Sequence, residues 1–229
     1  MGPEATVYFF QLIVRHTQAA VDQDHIPIII YNNPKIPERT AAVLRKGPSP
    51  VPLLTEGIKK LACVGADFIV VPCVTAHAFF KEMKAASSVP MLNLIEETMF
   101  FAREAVPGLA RAGLLASTGT VKSGLFEKTF TRAGIEILVP KEEDQDRVME
   151  AIFGAKGIKA GFTSGRPRRL LLEAGRRLIR SGAQAVIAGC TEVPLALREG
   201  DFSVPLIEPL RIAAVACILK AGYPLKPGK

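Results

Sequence analysis

The sequence predicts an α/β fold: two pseudosymmetric parallel-sheet halves with an active site in the cleft between them. Three observations carry this. The chain repeats itself at a spacing of 117 residues. Amphipathic helical segments alternate with short apolar runs, the pattern of β-α-β units. A cysteine closes the same apolar run in each copy.

Taking the elements in chain order, LLTEGIKKLACVGADFIVVPC (Leu53 to Cys73) lies over LLLEAGRRLIRSGAQAVIAGC (Leu170 to Cys190). Leu53/Leu170, Leu54/Leu171, Glu56/Glu173, Leu61/Leu178, Gly65/Gly182, Ala66/Ala183 and Cys73/Cys190 are identical. Each copy reads as an amphipathic helix, a Gly-Ala stop and a short apolar strand. His77 falls on the first turn of the element after Cys73. VPMLNLIEET from Val89 and VPLIEPLRIA from Val204 then give a second parallel strand in each half. AGLLAST (Ala112 to Thr118) is a further strand whose counterpart, at the same spacing, falls mostly before Met1. The first half is therefore expected to lack that strand, or to receive it from an upstream segment or a dimer partner. The halves are assigned as 1–99, with the C-terminal helix 208–222 added to it, and 100–207.

With 48% apolar residues and mean hydropathy +0.24, the 229 residues supply ample core. No apolar run reaches the roughly 20 residues that span a bilayer, and no secretory signal opens the chain, so a cytoplasmic protein with no membrane partner is expected. Four cysteines without C-x-x-C spacing and three scattered histidines argue against both a disulfide framework and a metal centre. The net charge of +7 raises the question of a polyanionic partner. Its densest stretch, Arg166, Arg168, Arg169, Arg176, Arg177 and Arg180, overlaps the leucine-rich helix and has no interleaved aromatics, so it reads as a solvated helix face rather than a nucleic-acid site.

In open parallel sheets, ligands bind at the carboxyl ends of the strands. Cys73 and Cys190 both sit at such an end, so facing halves would put one thiol on each wall of the cleft. Acyl transfer by a lone thiolate needs a base and an orienting group. Only His77 is close in sequence to either thiol, and a structural role suits it better. Two opposed thiols suit another reaction: one takes the hydrogen from a stereocentre on one face while the other delivers a proton to the opposite face. An ordinary thiol pKa near 8.5 lies within reach of that task. Cys63 and Cys217 fall within helices and read as packing residues.

The segments MGPEAT at Met1, NNPKIPERT at Asn32, PCVTAH at Pro72, STGT at Ser117, GIKAG at Gly157 and GCTEVP at Gly189 together resemble the cofactor-independent aspartate/glutamate racemases, and most of all their aspartate racemase branch, over essentially the whole chain. The Thr-Glu after the second cysteine, where glutamate racemases have Thr-His, separates the branches. The resemblance implies two α/β halves, a homodimer, no cofactor, and a small dicarboxylic amino acid as substrate. It assigns Cys73 and Cys190 as the acid/base pair. Thr75 and Thr191 would hold the α-carboxylate and amino group, and Arg39 the side-chain carboxylate, with Lys159 as a second cation that Glu38 helps to position. Gly2, Val74 and Thr118 complete the expected substrate-binding set, Val74 standing where relatives have Asn. The alternatives are racemisation of glutamate or of a broader set of amino acids, or a binding protein of this family impaired in catalysis.

Overall fold

The computed structural model describes residues 2–227, so Met1 of the MGPEAT segment lies outside them. The first part contains α1 (Pro3–His16), α2 (Arg39–Val43), α3 (Val51–Cys63), β1 (Ile69–Val70), α4 (Phe80–Ala85), β2 (Met91–Leu92) and α5 (Leu94–Ala105). The second contains β3 (Arg111–Leu115), α6 (Thr118–Ser123), α7 (Leu125–Thr131), β4 (Glu136–Leu138), α8 (Glu142–Phe153), α9 (Arg166–Arg180), β5 (Ala185–Ala188), α10 (Val193–Ala196), β6 (Leu206–Ile207) and α11 (Pro209–Lys220). Short 3₁₀ helices at Val74–Phe79 and Ile158–Ala160 follow Cys73 and carry Lys159.

All strand pairs within the sheets are parallel, in the orders β1-β2 and β4-β3-β5-β6. The internal repeat is visible in this arrangement. Helices α3 and α9 end at Gly65 and Gly182, whose φ of +86° and +98° place them in the left-handed region that glycine enters without a Cβ clash. Strands β1 and β5 follow, and each is paired with the strand after it in the same register: Val70 faces Leu92, and Ile187 faces Ile207. The halves differ at the position of β3. Among the described residues β1 has a strand neighbour on one side only, whereas β5 lies between β3 and β6. Ile28, Ile29, Ile30 and Tyr31, an extended apolar stretch, are exposed.

Strand β5 alternates between two cores, as a sheet covered on both faces must. Ala185 and Ile187 face a core shared with α1, α5, α7 and α11, while Val186 and Ala188 face one built with α8 and α9. A third core, with Leu54, Ile58, Ile69 and Met83, fills the first half. Helix α9 buries Leu170, Leu171, Ala174 and Leu178. Its arginines are partly committed to acids of the second half, Arg168 pairing with Asp201 at 2.5 Å and Arg177 with Asp144. No helix is long and apolar enough to cross a membrane among the described residues.

Candidate active site

Cys73 and Cys190, from equivalent strand ends, line one cavity between the two parts of the chain. The elements that bring them together are held by hydroxyls from both sides. Thr75 Oγ1 lies 2.9 Å from Thr120 Oγ1 and 3.2 Å from Ser117 Oγ, and Thr40 donates to Ser117 Oγ at 3.3 Å. Gly119 permits this closeness. A Cβ there would sit 2.7 Å from Thr40 Cα, so only glycine lets α2 approach α6. That approach, rather than a strained turn, is what this glycine contributes.

Arg39 opens α2 and is buried, at 8% exposure. Its Nη1 donates to the carbonyls of Ile36 (3.1 Å) and Pro37 (2.9 Å), which fixes the guanidinium in the cavity wall. Its Nε is buried and has no hydrogen-bond acceptor among the described residues. A buried guanidinium with an unused donor is costly unless an anion can complete it.

The surroundings of Cys190 form a charged chain. Its Sγ donates to Glu192 Oε2 at 2.8 Å, Thr191 Oγ1 donates to the same oxygen at 3.3 Å, and Lys159 pairs with Oε1. Burial first, and the Glu192 charge second, push the Cys190 thiol well above its ordinary value, with Lys159 opposing. Burial works against ionisation of Glu192, yet Lys159 and the bond from Cys190 outweigh it and hold its carboxyl below the usual range. Lys159 is likewise desolvated, but Glu192 and the two cysteines raise it. Cys190 is thus a protonated thiol resting on an ionised glutamate.

Cys73 has no carboxylate in hydrogen-bond contact among the described residues. Its carbonyl accepts from His77 Nδ1 at 3.0 Å, while His77 Nε2 accepts the Leu94 N–H at 3.2 Å. Only the neutral imidazole can donate at one nitrogen and accept at the other. Burial lowers its pKa to about 4, against the opposing backbone bonds. His77 therefore fastens the strand end to the first turn of α5 and leaves the Cys73 thiol alone.

Of the expected residues, Arg39, Glu38, Cys73, Val74, Thr75, Lys159, Cys190 and Thr191 line the cavity. Gly2 adjoins it: a Cβ there would lie 2.9 Å from Glu192 Oε1. Two expectations need correction. Glu38 does not position Lys159; its carboxylate accepts from the N–H groups of Thr40 (2.9 Å) and Ala41 (2.5 Å) as the N-cap of α2, and Glu192 holds the lysine. Thr118 is not part of the lining; its Oγ1 accepts from Gln145 Nε2 at 3.2 Å, and its neighbour Ser117 faces the cavity instead. Glu192, Ser117 and Phe153, whose ring lies 5.3 Å from Lys159 Nζ, also line the site and were missed. The repeat could have found Glu192, since it occupies the position of Thr75.

The cavity has free space of about 20 Å³, enough for about one water molecule.

A pair of parallel α/β halves, each ending a strand in a thiol on a shared cavity, defines a two-lobed enzyme that works on a small ligand held between them. The chain matches the Asp/Glu/Hydantoin racemase family over residues 1–217 and belongs to it, a family of isomerases. It is 33% identical to the Picrophilus torridus aspartate racemase structure, with a TM-score of 0.87, covering 98% of this chain and 92% of that one. A putative Asp/Glu racemase from Yersinia pestis is 27% identical at a TM-score of 0.78, covering 95% of this chain and 94% of that one. The broad specificity amino-acid racemase RacX of Bacillus subtilis is 27% identical, over 96% of this chain and 92% of its own length.

Proposed function

We propose that the chain racemises aspartate by a two-base mechanism with Cys73 and Cys190, using neither pyridoxal phosphate nor a metal. The observation that carries this reading is one cavity lined by both thiols and by a buried arginine with an unused donor. Arg39 takes the side-chain carboxylate, which completes its guanidinium. Thr75 and Thr191 take the α-carboxylate and amino group.

The state of Cys190 sets the direction of the first turnover. With the protonated Cys190 as the acid, Cys73 takes the role of the base that removes the hydrogen from Cα. The electron pair left on carbon delocalises into the α-carboxylate, and Cys190 gives its proton to the opposite face. The products are the other enantiomer, a Cys73 thiol and a Cys190 thiolate. Lys159 stabilises that thiolate, while Glu192, ionised throughout, keeps the lysine beside it. The other enantiomer uses the same steps in reverse.

We assign the halves as 1–99 with the C-terminal helix 208–222, and 100–207. Helix α11 packs on α1 and α5, which favours placing it with the first half, whereas the boundary at residue 99 falls inside α5 and belongs after Ala105. A homodimer in the cytoplasm completes the reading; four free cysteines suit a reducing compartment.

A second reading, racemisation of a broader set of amino acids, is favoured by the apolar side chains of Val74 and Phe153 on the cavity wall. One assay separates the two. The protein is incubated with L-aspartate, L-glutamate, L-alanine or L-methionine in deuterium oxide, and deuterium at Cα is measured. Aspartate alone should exchange rapidly. Equal exchange of the others establishes broad specificity, and exchange of none overturns racemisation.

A further inference from the structure

A second cavity, of about 330 Å³, lies between the end of α5, strand β6 and the first turn of α11. It shares no lining residue with the cavity of Cys73 and Cys190. Its wall is apolar along Phe101, Val106, Leu206 and Ile207, and it carries one positive group, Arg211, and two acidic ones, Glu208 and Glu199.

The fold satisfies these charges only in part. Arg211 stacks on Phe101, with its guanidinium carbon 5.9 Å from the ring centroid, and no carboxylate lies within ion-pair distance of it among the described residues. Glu208 stands directly after β6, as Asn93 stands directly after β2, so the two are twins by sheet register. Asn93 caps its helix, accepting from the Ile95 N–H at 3.0 Å. Glu208 precedes α11 without making any side-chain cap bond, and its Oε1 is buried without a donor. Burial raises the Glu208 carboxyl above its ordinary range, against a side-chain hydrogen bond that the Tyr8 hydroxyl of α1 donates to it and the nearby Arg211 charge. A buried carboxylate oxygen left without a donor is expensive to keep unless something completes it.

We propose that this cavity is a second ligand site, for an α-amino acid with an apolar side chain, whose carboxylate meets Arg211 and whose ammonium meets Glu208. The two protein charges do not pair with each other, and an apolar wall accompanies them. A molecule that carries both opposite charges on one carbon, with a hydrocarbon branch, complements that arrangement. The site lies one strand from the catalytic thiol, since Ile207 pairs with Ile187 and β5 runs on to Cys190. It does not depend on the racemase reading.

L-Leucine is the probe, titrated calorimetrically into the intact chain and into a Cys73→Ser/Cys190→Ser double variant. Saturable one-to-one binding of equal strength in both is expected, undiminished by aspartate. Arg211→Ala and Glu208→Gln should each weaken it about tenfold or more, as loss of a charged partner does. Val106→Trp, which fills the cavity without touching either charge, should abolish it while the thermal transition stays in place. 4-Methylpentanoate and isopentylamine, each lacking one charge, should bind far more weakly. No saturation by about 10 mM, a value weaker than any useful small-ligand affinity, overturns the proposal. So does binding lost in the double cysteine variant, which would put leucine in the catalytic cavity. A change of sedimenting mass in Val106→Trp without leucine binding in the parent chain identifies a subunit contact and equally overturns it.

Discussion

Cys73 is half-buried, and its carbonyl is fastened by a neutral histidine; Cys190 is buried, and its thiol leans on an ionised glutamate that a lysine also grips. The two residues close equivalent strands of a repeated unit, so the backbone treats them alike. Among the residues that differ around them is the second one after each. At that place the first half has Thr75, bound up in the hydroxyl cluster, and the second has Glu192. Burial first and this one substitution second thus hold the Cys190 thiol in its protonated form. Under the proposed mechanism, which needs one base and one acid at the same moment, that environment suits Cys190 to the acid's role.

The comparison breaks first if the two thiols are not both needed. Cys73→Ser and Cys190→Ser should each lower racemisation of aspartate by about 10³-fold, the scale of a general acid or base, measured by chiral chromatography. A variant that keeps a tenth of the activity would remove that cysteine from the pair.

The histidine half of the comparison appears in stability. His77 is neutral in the fold with a pKa of about 4, whereas in the unfolded chain it takes a proton near 6.5. The unfolded state therefore binds more protons between these values, and stability falls as pH drops from about 6.5 to about 4, by about 3 kcal/mol. Urea titrations across that window should show the slope, and His77→Gln should flatten it. An unchanged slope in the variant would assign the pH dependence to other groups.

Arg39→Lys replaces a forked donor with a point charge, and should raise KM for aspartate about 30-fold, roughly 2 kcal/mol. Any residual activity on alanine, which has no side-chain carboxylate, should be unaffected. Equal losses on both substrates would mean that Arg39 holds the fold rather than the ligand.

Glu192→Gln sharpens the contrast with the smallest effect. Removing the charge that helps hold the Cys190 proton should move thiol titration to lower pH, read from the pH dependence of alkylation at that residue. Racemisation should fall about tenfold. Alkylation that titrates as in the parent chain would show that Glu192 does not govern the thiol.

Much of this arrangement was legible in the sequence because it depends on local patterns. The Leu53–Cys73 and Leu170–Cys190 repeat marked the helix, glycine stop and strand of each half, and the position of each cysteine at a strand end followed. The motif around Arg39 located it but gave no hint that its Nε is left over. What could not be read depends on the halves meeting. Ser117 rather than Thr118 faces the cavity because the helix α6 turns the second of them toward Gln145. The resemblance implied that Glu38 helps to position Lys159, but its carboxylate caps the N–H groups of α2 instead. Glu192 was in view as a branch marker, yet its contact with Lys159 crosses 33 residues of chain, a distance no spacing rule covers.

The most direct test starts from one enantiomer of aspartate in deuterium oxide and compares, at early times, the label in product and in remaining substrate. Two bases on opposite faces predict that each product molecule carries deuterium at Cα, because the delivering thiol has exchanged with solvent, while the unreacted substrate stays unlabelled. Deuterium accumulating in the substrate pool as fast as in the product would mean that one group both removes and returns the hydrogen, and the account of a thiol on either side of Cα would be wrong.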